Sequence, residues 1–124
     1  MPQRRREHFP EPSENAIQTA VLSHWAAFGV PGSLVAAVPN KHAMGQPGLT
    51  AGLFDLLVLS PALGDKTGWL ELKTRSGKLS EAQREIELLL IRRSIPFAIT
   101  YGRDEPIRVL EHWGAVKPRA RAAA

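Results

Sequence analysis

Trp69-Leu70-Glu71-Leu72-Lys73 is the stretch whose reading decides the fold. Read as a strand, it alternates between two faces. Glu71 and Lys73 emerge side by side, their Cα atoms about 6 to 7 Å apart, while Leu70, Leu72 and Thr74 point the other way. A second acid, Asp55, interrupts the apolar, strand-like run from Leu53 to Leu59. Pro61 to Lys66 reads as the hairpin connection between the two runs, and counting back from a turn near Ala62 to Asp65 sets Asp55 roughly opposite 71 to 73. Two carboxylates and an ammonium then converge on one patch of sheet. Carboxylates set in apolar strands raise each other's pKa unless a cation neutralises them. A hard divalent ion with oxygen ligands is the natural neutraliser, and a water on it is a potential nucleophile. These residues alone leave open a plainer alternative, a cross-strand salt bridge between Glu71 and Lys73 or Asp55.

The rest of the chain is read outward from that pair. After Lys73, Ser76 to Leu79 is a turn, and Ser80 with Gln83 has the spacing of a capping box that opens a helix. Ala82, Ile86, Leu89 and Leu90 form its expected buried stripe, and Arg92 and Arg93 suit its C-terminal end. Ile95 to Tyr101 is a last strand ended by Gly102, and Pro106 to Trp113 a short third helix. Before Asp55, Ser13 caps a helix over 13 to 28, in which Ile17, Val21, Trp25 and Phe28 recur at helical spacing and Gly29 is the stop. Leu34 to Val38 is a short strand closed by Pro39. A polar, glycine-rich loop from Asn40 to Gly52 follows, of a length that in a small domain points to function or mobility. The order is αβββαβ with a helix appended. The meander should be antiparallel and the unit from Gly68 to Tyr101 a right-handed parallel crossover, so the fold class is α/β, a mixed sheet flanked by helices.

The 124 residues suit one domain, read as a basic arm (1 to 12), a body (13 to 116) and a basic tail (117 to 124). Of the net charge of +4, residues 1 to 8 contribute +2 and the tail +3, which leaves 9 to 116 at −1. Such ends either attract a polyanion or merely solubilise. The absence of cysteine excludes disulfides and thiolate metal sites and fits a reducing cytoplasm. No apolar run approaches the roughly 18 residues that span a bilayer, so no membrane partner is expected. His8, His24 and His112 lack the spacing of a zinc site, and Trp25, Trp69 and Trp113 read as core or interface rather than base-stacking platforms. There is no P-loop, dinucleotide fingerprint or serine-hydrolase elbow.

From Glu14 to Gly102 the pattern resembles the VRR-NUC domain family of the PD-(D/E)XK nuclease superfamily, in its stand-alone, junction-resolvase-like form. The resembling pieces are Glu14 and Gln18, Pro39-Asn40, Gly52-Leu53-Phe54-Asp55, Trp69-Leu70-Glu71-Leu72-Lys73, and Gly77-Lys78-Leu79-Ser80 followed by Gln83. The resemblance implies a PD-(D/E)XK nuclease-like core. It implies metal binding by Asp55 and Glu71 with the Leu72 carbonyl, a catalytic Lys73, and a site completed by Glu14 and Gln83. It departs at Phe54, where the superfamily name expects proline.

Glu14 lies on the stripe of Ile17, Val21 and Trp25 and should face inward; its plainer role is a first-turn acid favoured by the helix dipole. Gln83 has a plainer role as the capping partner of Ser80. Asn40, Lys41, His42 and Gln46, with Arg75 and Lys78, are candidates for DNA contacts. The function expected is a Mg²⁺- or Mn²⁺-dependent endonuclease on branched or flapped DNA, working as a homodimer in a bacterial cytoplasm, encoded by the bacterium or by a phage. The interface candidate is the segment of Pro106, Ile107, Val109, Leu110 and Trp113, whose other role would be to cover the sheet edge. The alternative function is a degenerate nuclease-fold module that binds nucleic acid or a protein without cutting.

Overall fold

The structure, a computed structural model, describes residues 11 to 39 and 47 to 120. Helix α1 (Glu14–Phe28) leads into β1 (Leu34–Ala37), β2 (Leu56–Leu59) and β3 (Gly68–Lys73), and then α2 (Glu81–Arg92), β4 (Phe97–Tyr101) and α3 (Asp104–His112). The strands form one sheet in the order β1-β2-β3-β4, with β1, β2 and β3 antiparallel and β4 parallel to β3. This is the mixed α/β architecture expected from the sequence. No helix among the described residues is long and apolar enough to cross a membrane.

The element boundaries follow local chemistry. Ser13 caps α1 through its side chain, which accepts the Ala16 N–H at 3.1 Å. Gly29 ends α1 without the left-handed conformation that helix-stopping glycines usually adopt. It is needed because a Cβ there would lie 2.7 Å from the Trp25 carbonyl oxygen and 2.8 Å from Nε1 of the same residue. That indole N–H is held by Ser33 Oγ at 2.9 Å, so Trp25 stays against the core. Both halves of the capping box at Ser80 and Gln83 are present. The hairpin connection holds a 3₁₀ turn, Pro61–Leu63.

Ile17 and Val21 of α1, Leu70 and Leu72 of β3, Leu56 and Val58 of β2, and Ile107 and Leu110 of α3 share one buried core. The α3 segment is therefore consumed by its own domain: Pro106, Ile107 and Leu110 are buried, and Val109 and Trp113 pack against the core. Of the two roles the sequence leaves open for this segment, the packing favours cover within the domain over an interface; its apolar spacing is that of a helix lying on the sheet. A correction concerns α2. Leu89 is 48% exposed, as are Leu88 and Ile91 at about half, and the inward positions are Gln83 and Leu90. The helix is turned so that a polar residue points inward.

Gly52 sets how closely that polar residue approaches the rest. Its φ is +87°, and a Cβ there would lie 2.5 Å from the Ala82 carbonyl and 2.8 Å from the Gln83 nitrogen. Only glycine allows the chain before Asp55 to pass against the first turn of α2. Gly52→Ala is expected to cost about 1 to 3 kcal/mol, from backbone strain and displaced packing. Urea denaturation should show a lower midpoint at unchanged slope.

Candidate active site

The sequence predicts a strand from Leu53, but β2 begins at Leu56. At Asp55 the chain bends away from β3. The Asp55 main chain stays with β1, its carbonyl accepting the Val38 N–H at 2.8 Å. Its side chain takes over toward β3: Oδ2 accepts the Leu72 N–H at 2.8 Å. The register of Leu56 with Leu70 and Leu57 with Trp69 extends to place Asp55 across from Glu71, as the counting suggested. The bend is anchored by Phe54, which is fully buried and meets the Phe97 ring edge-on at 6.0 Å. An aromatic anchor thus does by packing what a proline would do by restricting φ.

Glu71 is fully buried, and neither carboxylate oxygen has a hydrogen-bond donor. Burial is the main cause that pushes its pKa up to about 9, with hydrogen bonding to Asp55 next and the Asp55 charge after it; Lys73 pulls the other way, and Glu14 adds a small further rise. Without a cation, burial and the neighbouring acid favour the protonated form of Glu71, whose hydroxyl is then a hydrogen-bond donor toward Asp55.

Lys73, the last residue of β3, is buried but for 6% and pairs with Glu14, the first residue of α1, at 3.9 Å. Glu14 does face inward at the end of its stripe. The Lys73 carbonyl accepts the Gly102 N–H at 2.9 Å, on the β4 side. Peptide directions alternate along a strand, so the Leu72 N–H and carbonyl both face the β2 side, where Asp55 stands. Asp55, Glu71, the Leu72 main chain, Lys73 and Glu14 are thereby gathered at one end of β3. Gln83 is buried, and its Oε1 accepts the Ser80 N–H at 3.0 Å, so its carbonyl end is committed to the cap. Arg75 and Lys78 are exposed on the turn after β3. Asn40, Lys41, His42 and Gln46 lie outside the described residues.

The donor set fits a hard cation. It offers a carboxylate pair, Glu71 buried and Asp55 half-buried, and a main-chain carbonyl on the same side. Among the described residues no three His, Cys, Asp or Glu side chains group to hold an ion by themselves. The protein would supply two carboxylates and the carbonyl, and water the remaining ligands. One contact left no trace in the sequence. Glu11 reaches the turn after β3, where its Oε1 accepts the Ser76 N–H at 3.0 Å and its Oε2 the Ser76 hydroxyl at 2.9 Å.

A solved structure described as a VRR_NUC domain superposes on this chain with a TM-score of 0.58, covering 80% of this chain and 95% of that one at 20% identity. The chain has the VRR_NUC fold. At that identity the likeness establishes architecture alone. No protein-family model matches the sequence, and no curated protein matches it.

Two predictions follow from the carboxylate pair. In the metal-free folded protein Glu71 holds a proton up to about pH 9, whereas the unfolded chain releases it near 4.5. The folded state is therefore favoured below the lower value and loses that advantage as pH rises through the window. Glu71→Gln, which is uncharged at every pH, should match wild type near pH 5 and exceed it by at least about 1 kcal/mol near pH 8 in chelator. Equal stabilities at both pH values would contradict the buried-carboxyl assignment. At position 55 an alanine would orphan the Leu72 N–H. Asp55→Ala should cost about 1 to 3 kcal/mol more than Asp55→Asn, whose amide oxygen still accepts.

Proposed function

We propose that this protein is a metal-dependent nuclease that hydrolyses phosphodiester bonds in DNA. The observation that carries the reading is the fully buried Glu71 carboxyl beside Asp55, with no donor on either oxygen, while Lys73 on the same face of the strand pairs with Glu14. A structural salt bridge would pair that carboxylate with Lys73, and the absence of such a pair supports a role for Glu71 in binding a cation. The resemblance of the site segments to VRR-NUC nucleases and the shared fold support the same reading.

In this proposal Asp55, Glu71 and the Leu72 carbonyl hold Mg²⁺ or Mn²⁺, with Glu14 at the edge of the site. The ion supplies Lewis-acid activation of a phosphate and a water of lowered pKa. Lys73, buried along its stem and charged at its tip, orients the attacking water or holds a phosphate oxygen. Glu14 keeps that ammonium at the rim instead of letting it close on Glu71. Gln83 directs its amide toward the site while its carbonyl end serves the helix cap. Asn40, Lys41, His42 and Gln46 of the loop, with Arg75 and Lys78, contact the DNA backbone.

The substrate proposed is branched DNA, a four-way junction or a flap, cut in a bacterial cytoplasm. One site cuts one strand, so resolving a junction calls for a homodimer. With the apolar face of α3 packed inside, Leu88, Leu89 and Ile91 on the outside of α2 offer one exposed apolar surface for a second copy. One observation favours a second reading, a module that binds without cutting: the absence of a three-side-chain metal group among the described residues.

Incubation with four-way junction, flap and linear DNA, with and without Mg²⁺ or Mn²⁺, separates the two. Wild type should cut only with the ion and prefer branched DNA. Lys73→Ala should abolish cutting while DNA binding persists, and Lys73→Arg should also be poor, because a planar fork does not replace a compact charge. At about a hundredfold excess over its Kd the ion should stabilise wild type by about 2.7 kcal/mol and leave Glu71→Gln nearly unchanged. Binding with no cutting under any metal would establish the module reading.

A further inference from the structure

The Ser76 contact departs from an ordinary surface hydrogen bond. A single carboxylate, Glu11, takes both the main-chain N–H and the hydroxyl of one residue, at 3.0 and 2.9 Å. Two donors aimed at one anion form a small oxyanion cradle. A phosphodiester offers the same pair of acceptor oxygens with a full negative charge. The cradle is preformed, because the turn that carries it is closed by its own bond, Gly77 N–H to the Thr74 carbonyl at 3.0 Å, which leaves the Ser76 donors pointing outward. Its neighbours in the turn, Arg75 and Lys78, are exposed cations, which favour an anion there.

The cradle also lies against the site. A Cβ on Gly77 would sit 3.3 Å from both Cβ and Cδ of Lys73, so the turn folds back on the lysine stem. The turn that carries the Ser76 donors is thereby packed against the side chain of Lys73.

We propose that the Ser76 N–H and hydroxyl form a phosphate-binding site for the DNA backbone next to the scissile position, occupied in the free protein by the Glu11 carboxylate, which an incoming phosphate displaces. This rests on the nuclease reading and adds to it an occupied subsite with a built-in competitor. Glu11 would then lower affinity for every DNA and make binding depend on an exchange of one anion for another.

The test is fluorescence anisotropy with a short duplex DNA, with Ca²⁺ in place of Mg²⁺ so that the DNA stays intact. Wild type, Glu11→Ala, Ser76→Ala and the double variant are compared, beside Glu81→Ala as a charge-matched control from the first turn of α2. Glu11→Ala should bind several-fold tighter than wild type, by more than Glu81→Ala. The gain should shrink to the control's level in the Ser76→Ala background. In ¹⁵N spectra, inorganic phosphate should shift the Ser76 amide in Glu11→Ala at lower concentration than in wild type. Unchanged or weaker binding by Glu11→Ala would show a latch that orders the turn, and an equal gain with and without Ser76 would show general electrostatics; either overturns the proposal. Cleavage by wild type in Mg²⁺, run in parallel, reports on the nuclease reading separately. If wild type cuts but Glu11 is silent, only the phosphate subsite falls. If wild type neither binds nor cuts DNA, both fall.

Discussion

The hydrogen bond from the Leu72 N–H to Asp55 Oδ2, at 2.8 Å, stands at the point where β2 parts from β3. An antiparallel ladder would give that N–H a main-chain acceptor. Here a side chain substitutes, and the main chain is free to turn away. The separation opens the end of the sheet and gives Glu71 an acid, not a backbone, as its neighbour. An orphaned N–H at this depth would cost about 1 to 3 kcal/mol, so the bend persists only with an acceptor at position 55. Fold and site cannot be separated at this residue: one carboxylate oxygen closes the sheet and its carboxylate faces Glu71.

Glu71 is the counterpart, a group that the metal-free fold holds at a disadvantage. Its carboxyl is buried without a donor beside another acid. A salt bridge with Lys73 would be the simplest remedy within the chain, and both residues lie on one face of β3. Instead the ammonium is drawn to Glu14 at the edge of the sheet. Natural proteins tolerate such local frustration where an incoming group relieves it, at the expense of stability. The Phe54 anchor and the glycine at 52 belong to the same device. One fixes the bend from inside the core, and the other lets α2 close against it.

Most of the fold was legible because periodicity reports it. The helical stripe of α1, the capping box of α2 and the alternation of β3 are local signals, and the hairpin count was enough to set Asp55 across from Glu71. What escaped was non-local. The start of β2 depends on a side chain replacing a ladder bond, which an apolar run from Leu53 cannot announce. In α2 several apolar residues could turn inward, and local spacing does not say that the buried positions are Gln83 and Leu90. The amphipathic spacing of α3 says that it buries one face, without saying whether against its own sheet or a partner. Glu11 and Ser76 are 65 residues apart, and nothing local to either shows the other.

The charge pattern shows how far composition can mislead about a polyanion partner. The basic ends give the chain its excess of +4 while the body is nearly neutral. Yet Arg119, one of the tail's three cations, is bound at 2.7 Å to Asp104 and forked onto both oxygens of Glu111, and its hydrogen bond is the main cause that lowers the Asp104 pKa. A guanidinium so engaged would have to give up those bonds to neutralise a phosphate, so it contributes little to counterion release. Arg75 and Lys78, by contrast, stand exposed in the turn that follows the acidic pair. A cation already forked onto carboxylates is a poorer counterion for a phosphate than one standing exposed, so local placement says more than the net charge of the chain.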